Sequence, residues 1–302
     1  MSDFGFEHSF AKAIKMIREH YGVDVCVSTM ADVSRKHAFL ISEEEARHQS
    51  GNLLPAEGCE NLLAETDGTF LRIVETSNKK KDRRKTRIVA YEEARLCASK
   101  SMNELDIHYK ATFKNVDDVG LLWAQSAKEA GRGLNTKVHV VSDGASWIKI
   151  QADHIFSKQQ TFLIDFYHLC EYLFKASIPC SQNSKKWMRT QKKRLKMGHF
   201  QKVIKELEFN LENSGIVEED APVRKAYRYM TNRLSQFNYA EAIKTNLPIG
   251  SGLIESGHKH VLQARMKIPG ASWNRANAEA FVCTRSSRAN GQWNIYWEKK
   301  AA

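Results

Sequence analysis

The spacing of apolar residues changes character several times along this chain. In FAKAIKMIREHYG, Phe10, Ile14, Met16 and Ile17 mark the apolar face of a helix, and Gly22 follows as its stop. Ser28 and Thr29 are candidate N-caps for a second helix through Met30, Val33 and His37, and SEEEARH reads as a third, acidic helical start. Two short helices about a turn fit plain helical packing or a helix-turn-helix. From Leu62 the texture becomes β-like. LLAETDGTFLRIVET, TRIVAYEEARLCAS and DIHYKATF predict three strands of an antiparallel meander. DDVGLLWAQSAKEAG then returns to helical spacing, KVHVVS is a short buried strand, and QTFLID is another that runs into the helix FYHLCEYLFKA.

Residues 178–248 lack strand signals and carry helical stretches such as WMRTQKKRLKMG and APVRKAYRYMTNRLSQF. A further helix, GLIESGHKHVLQARMK, follows with Ser251 as candidate cap, then ASWNRANAEAFVCTRSSRANG and a short aromatic close, QWNIYW. The predicted class is α/β, a mixed sheet flanked by helices. Its segments are a helical, possibly helix-turn-helix-like lead-in (1–58), the first part of the core (59–177), a basic all-helical insertion (178–248), and the closing part of the core (249–302).

Charge sharpens this picture. The chain has 46 Lys+Arg against 35 Asp+Glu, a net of +11. Residues 79–87 hold seven basic residues and one acidic, and residues 181–205 hold nine basic and none acidic. Those two stretches carry +15, which leaves the rest of the chain at −4. Concentrated positive charge points to a polyanion, with a pair of solvated surface segments as the plainer alternative. No apolar run approaches the ~18 residues of a membrane helix, so no membrane partner is expected. The six cysteines are scattered without a C-x-x-C pair, which disfavours a zinc ribbon or disulfide framework and suits a reducing cytoplasm.

Three acidic residues stand out by position. Asp67 lies inside the first strand, Asp143 just past the strand VHVVS, and Glu255 in the first turn of a late helix. A D-G pair is commonly a turn and one acid per helix is ordinary. Carboxylates from such elements can also converge, and two Mg²⁺ ions about 4 Å apart clamp the attacking and leaving oxygens of a phosphodiester. His258 and Lys259 share the helix face of Glu255, Arg265 and Lys267 are candidate phosphate contacts, and Trp147 and Trp273 fit either core packing or stacking on an opened base.

The motifs ETDGTF (65–70), VSDGASWI (141–148), LIDFYHLCEYL (163–173) and LPIGSGLIESGHKHVLQARMKIPGASW (247–273) resemble the DDE transposases of bacterial insertion sequences, near the Mutator-like branch, over roughly residues 10–297. The resemblance implies a ribonuclease H-like fold whose last catalytic helix follows the insertion. It implies Asp67, Asp143 and Glu255 as a catalytic and metal-binding triad for two Mg²⁺ ions, with Mn²⁺ as substitute. Asp165 to His168 is similar to the C/D-x-x-H element of that branch, and both residues, with His258, are expected in supporting roles. Metal-dependent hydrolysis at element ends and strand transfer into target DNA follow as the implied activity. Lys259, Arg265, Lys267, Trp273, Arg83, Arg84, Lys192, Lys193 and Arg194 are the expected contacts to double-stranded DNA. A homodimer or larger assembly on DNA, in the cytoplasm or on a bacterial nucleoid, is implied too. About sixty residues precede Asp67, with no zinc-ligand spacing, so a compact, truncated or domesticated relative is expected. The alternatives are a transposase-derived DNA-binding protein that no longer cuts and another ribonuclease H-like nuclease.

Overall fold

Residues 61–75 alternate inward and outward side chains along most of their length, and they form one long strand, β1 (Asn61–Glu75). It pairs antiparallel with β2 (Ile88–Ser101), which pairs antiparallel with β3 (His108–Thr112). The parallel pair β4 (Lys137–Ser142) and β5 (Gln160–Ile164) completes a five-stranded mixed sheet in the order β3-β2-β1-β4-β5. The computed structural model describes residues 1–47, 53–77 and 82–301, with the backbone alone at Arg83 and Arg84.

The helices before the sheet are α1 (Ser2–Glu7), α2 (Phe10–Tyr21) and α3 (Val27–Arg47). Ser9 caps α2, and Gly22 ends it in the left-handed region at φ 65°. The acidic stretch SEEEARH is not a third helix. It continues α3, because no breaker separates it from Met30. Glu45 near the end of α3 pairs with the buried Lys110 on β3 at 2.8 Å. Within the sheet's connections lie α4 (Val116–Glu129), capped by Asn115, then α5 (Ser146–Phe156) and α6 (Phe166–Cys180). The insertion supplies α7 (Ser184–Lys196), α8 (Phe200–Phe209), α9 (Pro222–Thr231) and α10 (Tyr239–Lys244). The closing segment holds α11 (Gly252–Gly257), a π-helical turn (His258–Gln263), α12 (Ala264–Met266), α13 (Arg275–Ala289) and α14 (Trp293–Ala301). QWNIYW thus enters a helix whose Tyr296 is buried, rather than forming a loose aromatic end.

The chain divides into two compact units that cut across the segments drawn from sequence. The first joins Met1–Lys137, His154–Phe156 and Gly252–Ala302; its core gathers Phe6, Leu71, Ile73, Leu96, Leu262, Trp273 and Phe281. The second joins Val138–Asp153 and Ser157–Ser251, around Ile164, Phe166, Leu173, Leu195, Leu207 and Met230. In each, apolar burial of this extent is the main stabilising contribution.

Candidate active site

Successive side chains of a strand face opposite ways, so Glu65, Asp67 and Thr69 share one face of β1. Each meets the closing segment in the first unit. Glu65 is fully buried, and its Oε2 accepts the backbone N–H of Ile254 at 2.8 Å, fastening the first turn of α11 to the strand. Asp67 Oδ2 lies 3.7 Å from His258 Nε2 in the π turn. Lys267, just past α12, donates to Thr69 Oγ1 at 2.6 Å. Glu255, one residue beyond the fastened Ile254, is exposed, and the Asp67 side chain is 46% exposed.

Close approach of α11 to the sheet depends on Gly257. A Cβ there would stand 2.8 Å from Tyr109 Cε1 and 2.9 Å from Leu96 Cδ2. The π turn disturbs the regular helical ladder, and Arg285 from α13 donates to the carbonyls of His260 and Val261 within it, each at 2.7 Å. His258 is buried, and burial foremost, with the charge of Lys267, lowers its pKa to about 4. Its imidazole is therefore neutral at pH 7 and places no full positive charge beside Asp67.

In the second unit Asp143 follows β4 in a tightly built turn. Its Oδ1 accepts the N–H of Ala145 at 2.9 Å, and Ser142 Oγ accepts that of Gly144 at 2.9 Å. The insertion braces this turn. The Tyr229 hydroxyl donates to the Asp143 carbonyl, and Arg233 donates to the Gly144 carbonyl at 2.8 and 3.2 Å. The Arg233 guanidinium lies 4.2 Å from the centre of the Tyr229 ring, which stacks on Tyr172 at 4.3 Å. Gly144 sits at φ 86°, and a Cβ would meet Arg233 Nε and Ile164 Cδ1 at 2.7 Å.

Asp165 is buried and acts as the N-cap of α6: Oδ1 accepts from the amides of Tyr167 and His168 at 2.6 and 2.9 Å. Its Oδ2 accepts from the amide and hydroxyl of Ser251, so the same carboxyl holds the LPIGS stretch in place. His168 packs edgewise on Tyr172 and tilted on Tyr229. Both residues occupy fastening positions in this unit.

Two of the expected DNA contacts need correction. Arg265 is 3% exposed, donates to the Gly5 carbonyl, and is enclosed by the rings of Phe10, Trp273 and Phe281. Trp273 is buried, its indole donates to the Met266 carbonyl at 3.0 Å, and its backbone bridges to Ile73. Both belong to the core, where a cation above three aromatic faces fills space as well as it carries charge. Lys259, Lys267, Lys192 and Lys193 are exposed, whereas Arg194 is paired with Glu206 and bonded to Gln191. The side chains of Arg83 and Arg84, and all of residues 78–81, lie outside the described residues. Trp147 is half-buried. Sequence reasoning missed Glu65, Tyr229, Arg233 and Arg285. Only Glu65 left a signal, two positions before Asp67 on the same strand face.

Among the described residues no three His, Cys, Asp or Glu side chains gather closely enough to form a ready-made metal cage. The donor chemistry at Asp67 and Glu255, carboxylate oxygens accessible to solvent, suits a hard divalent cation. Among the described residues no helix is long and apolar enough to cross a membrane. A family model described as "Uncharacterised protein family (UPF0236)" matches residues 7–301. No curated protein matches the chain.

Proposed function

The chain belongs to the uncharacterised protein family UPF0236, a membership that leaves the activity open, and on the geometry above we propose that it is a DDE-type polynucleotidyl transferase, a DNA transposase with a ribonuclease H-like core. The observation that carries the reading is the seam between β1 and the closing helices, where Asp67 meets His258 and the Glu65–Ile254 bond anchors the turn that bears Glu255. The strand order β3-β2-β1-β4-β5, with an acidic residue just past β4, supports it further.

Asp67, Asp143 and Glu255 are the proposed catalytic carboxylates and the residues that would hold Mg²⁺. When bound, the ions would supply Lewis acidity toward the attacking and leaving oxygens of a phosphodiester. The chain's own residues set the conditions for that chemistry. Neutral His258 packs beside Asp67 without competing for its charge, Lys259 is placed to meet a phosphate, and the Tyr229–Arg233 brace fixes the backbone that carries Asp143. Double-stranded DNA is the proposed partner, with a homodimer or larger assembly formed on it.

The test is strand cleavage and joining on candidate element ends with Mg²⁺ or Mn²⁺. Asp67→Asn, Asp143→Asn and Glu255→Gln should each lower the rate by at least about 10²-fold while leaving DNA binding in place. Undiminished cleavage in all three would overturn the assignment. Metal-independent binding by a wild-type chain that never cuts would instead identify a transposase-derived DNA-binding protein.

A further inference from the structure

Helices α6 and α7 enclose a groove of about 730 Å³ that the proposed chemistry does not use. One wall is aromatic. Tyr167 and Phe174 on α6 are 64% and 58% exposed. Seven residues apart, they stand two turns from each other on one helix face, about 10 Å along its axis. The other wall is basic. Lys185, Arg189 and Lys192 recur at four- and three-residue spacing on α7, and all three are exposed. Among the described residues none of these three cations forms an ion pair, in contrast to Arg194 on the same helix. Lys175 adds a cation on the α6 side, and Glu171 is the groove's one carboxylate.

We propose that this groove binds an unpaired DNA strand, with phosphates along the basic face of α7 and bases stacked on Tyr167 and Phe174. The charge balance of the lining favours a polyanion. Exposed rings two turns apart favour one whose bases are bare, because in a duplex those faces are already covered by neighbouring base pairs. Glu171, between the two rings, matches an exocyclic amino group of a base rather than a phosphate. The inference rests on the reading of the chain as a polynucleotide-processing protein and deepens it, since cleavage and joining expose single-stranded ends.

Fluorescence anisotropy with a labelled oligothymidylate and a blunt duplex of equal length tests it. The wild-type chain should bind the single strand. Tyr167→Ala and Phe174→Ala should each weaken that binding by about tenfold and alter duplex binding by less than about twofold. Phe174→Leu should behave like the alanine variant and Phe174→Trp should retain affinity, which separates ring stacking from apolar bulk. Lys185→Glu with Arg189→Glu should lower the single-strand salt slope by about two. Thermal melting of each variant checks folding, which these exposed positions should not disturb. The proposal is overturned if the aromatic variants leave single-strand affinity unchanged, if they weaken strand and duplex equally, or if a polyglutamate peptide binds with the same dependence on Phe174. The proposed transposase activity fails by a different result, carboxylate variants that still cut, so the two outcomes are distinguishable.

Discussion

Glu65 illustrates how one buried carboxyl organises a site without taking part in its chemistry. Its oxygen satisfies the Ile254 amide at a helix start, where no intrahelical carbonyl is available to that donor. Glu65→Ala would leave the amide buried and unpaired, so we expect a loss of about 1–3 kcal/mol in urea denaturation, with Glu65→Gln retaining much of it. His139 on β4 makes a second argument at this scale. It is buried, Nε2 donates to the Pro248 carbonyl at 2.7 Å, and burial lowers its pKa below the ordinary value of 6.5. The unfolded chain therefore takes up a proton below about pH 6.5 that the folded chain refuses. The stability this group contributes is complete above that pH and declines as the pH falls. Urea midpoints at about pH 7.5 and about pH 5.5 should differ, and His139→Gln should narrow the difference.

At the scale of elements, two long-range fastenings place the conserved geometry of strand and helix within each unit: β1 to α11 and its π turn, and the turn after β4 to α9. The second makes the insertion a structural partner of the catalytic segment as well as a carrier of charge. Tyr229 and Arg233 come from the insertion and reach two consecutive carbonyls, those of Asp143 and Gly144. Gly144→Ala would force a side chain into φ 86° and against Arg233, at a cost of about 1–3 kcal/mol, readable as a lowered thermal midpoint. Tyr229→Phe removes one hydrogen bond and keeps the ring stack. It should cost about 1 kcal/mol in stability and lower the cleavage rate more than it weakens DNA binding. Equal effects on rate and binding would argue against a positioning role.

For the whole molecule the relevant quantity is the distribution of the +11 charge. The cations that remain exposed, among them Lys259, Lys192 and Lys193, are available to phosphates, while Arg265 and Arg285 serve the core. Affinity for duplex DNA should fall linearly with salt on logarithmic axes, by about 0.9 per neutralised phosphate. Lys193→Ala should lower the slope by about one unit if that side chain meets a phosphate, whereas Arg265→Met should change stability rather than slope. Binding isotherms at several salt concentrations decide both.

The sequence by itself determined the elements and their order. Period-two alternation, helical spacing, Gly22 and the N-capping Asn115 are local signals, and local hydrogen bonding and side-chain burial answer to them directly. It also singled out Asp67, Asp143 and Glu255, because each sits beside a turn or at an element end. Only the tertiary structure decided which charges are buried and which polar groups hold the acidic positions. Arg265 and Lys267 are two residues apart and look alike in sequence, yet one is enclosed by three rings and the other reaches Thr69. Glu65 finds its partner 189 residues away, and Tyr229 finds the Asp143 carbonyl 86 residues back. Contacts of that range depend on how elements pack, and packing is settled by the combined burial of many side chains rather than by the spacing of a few.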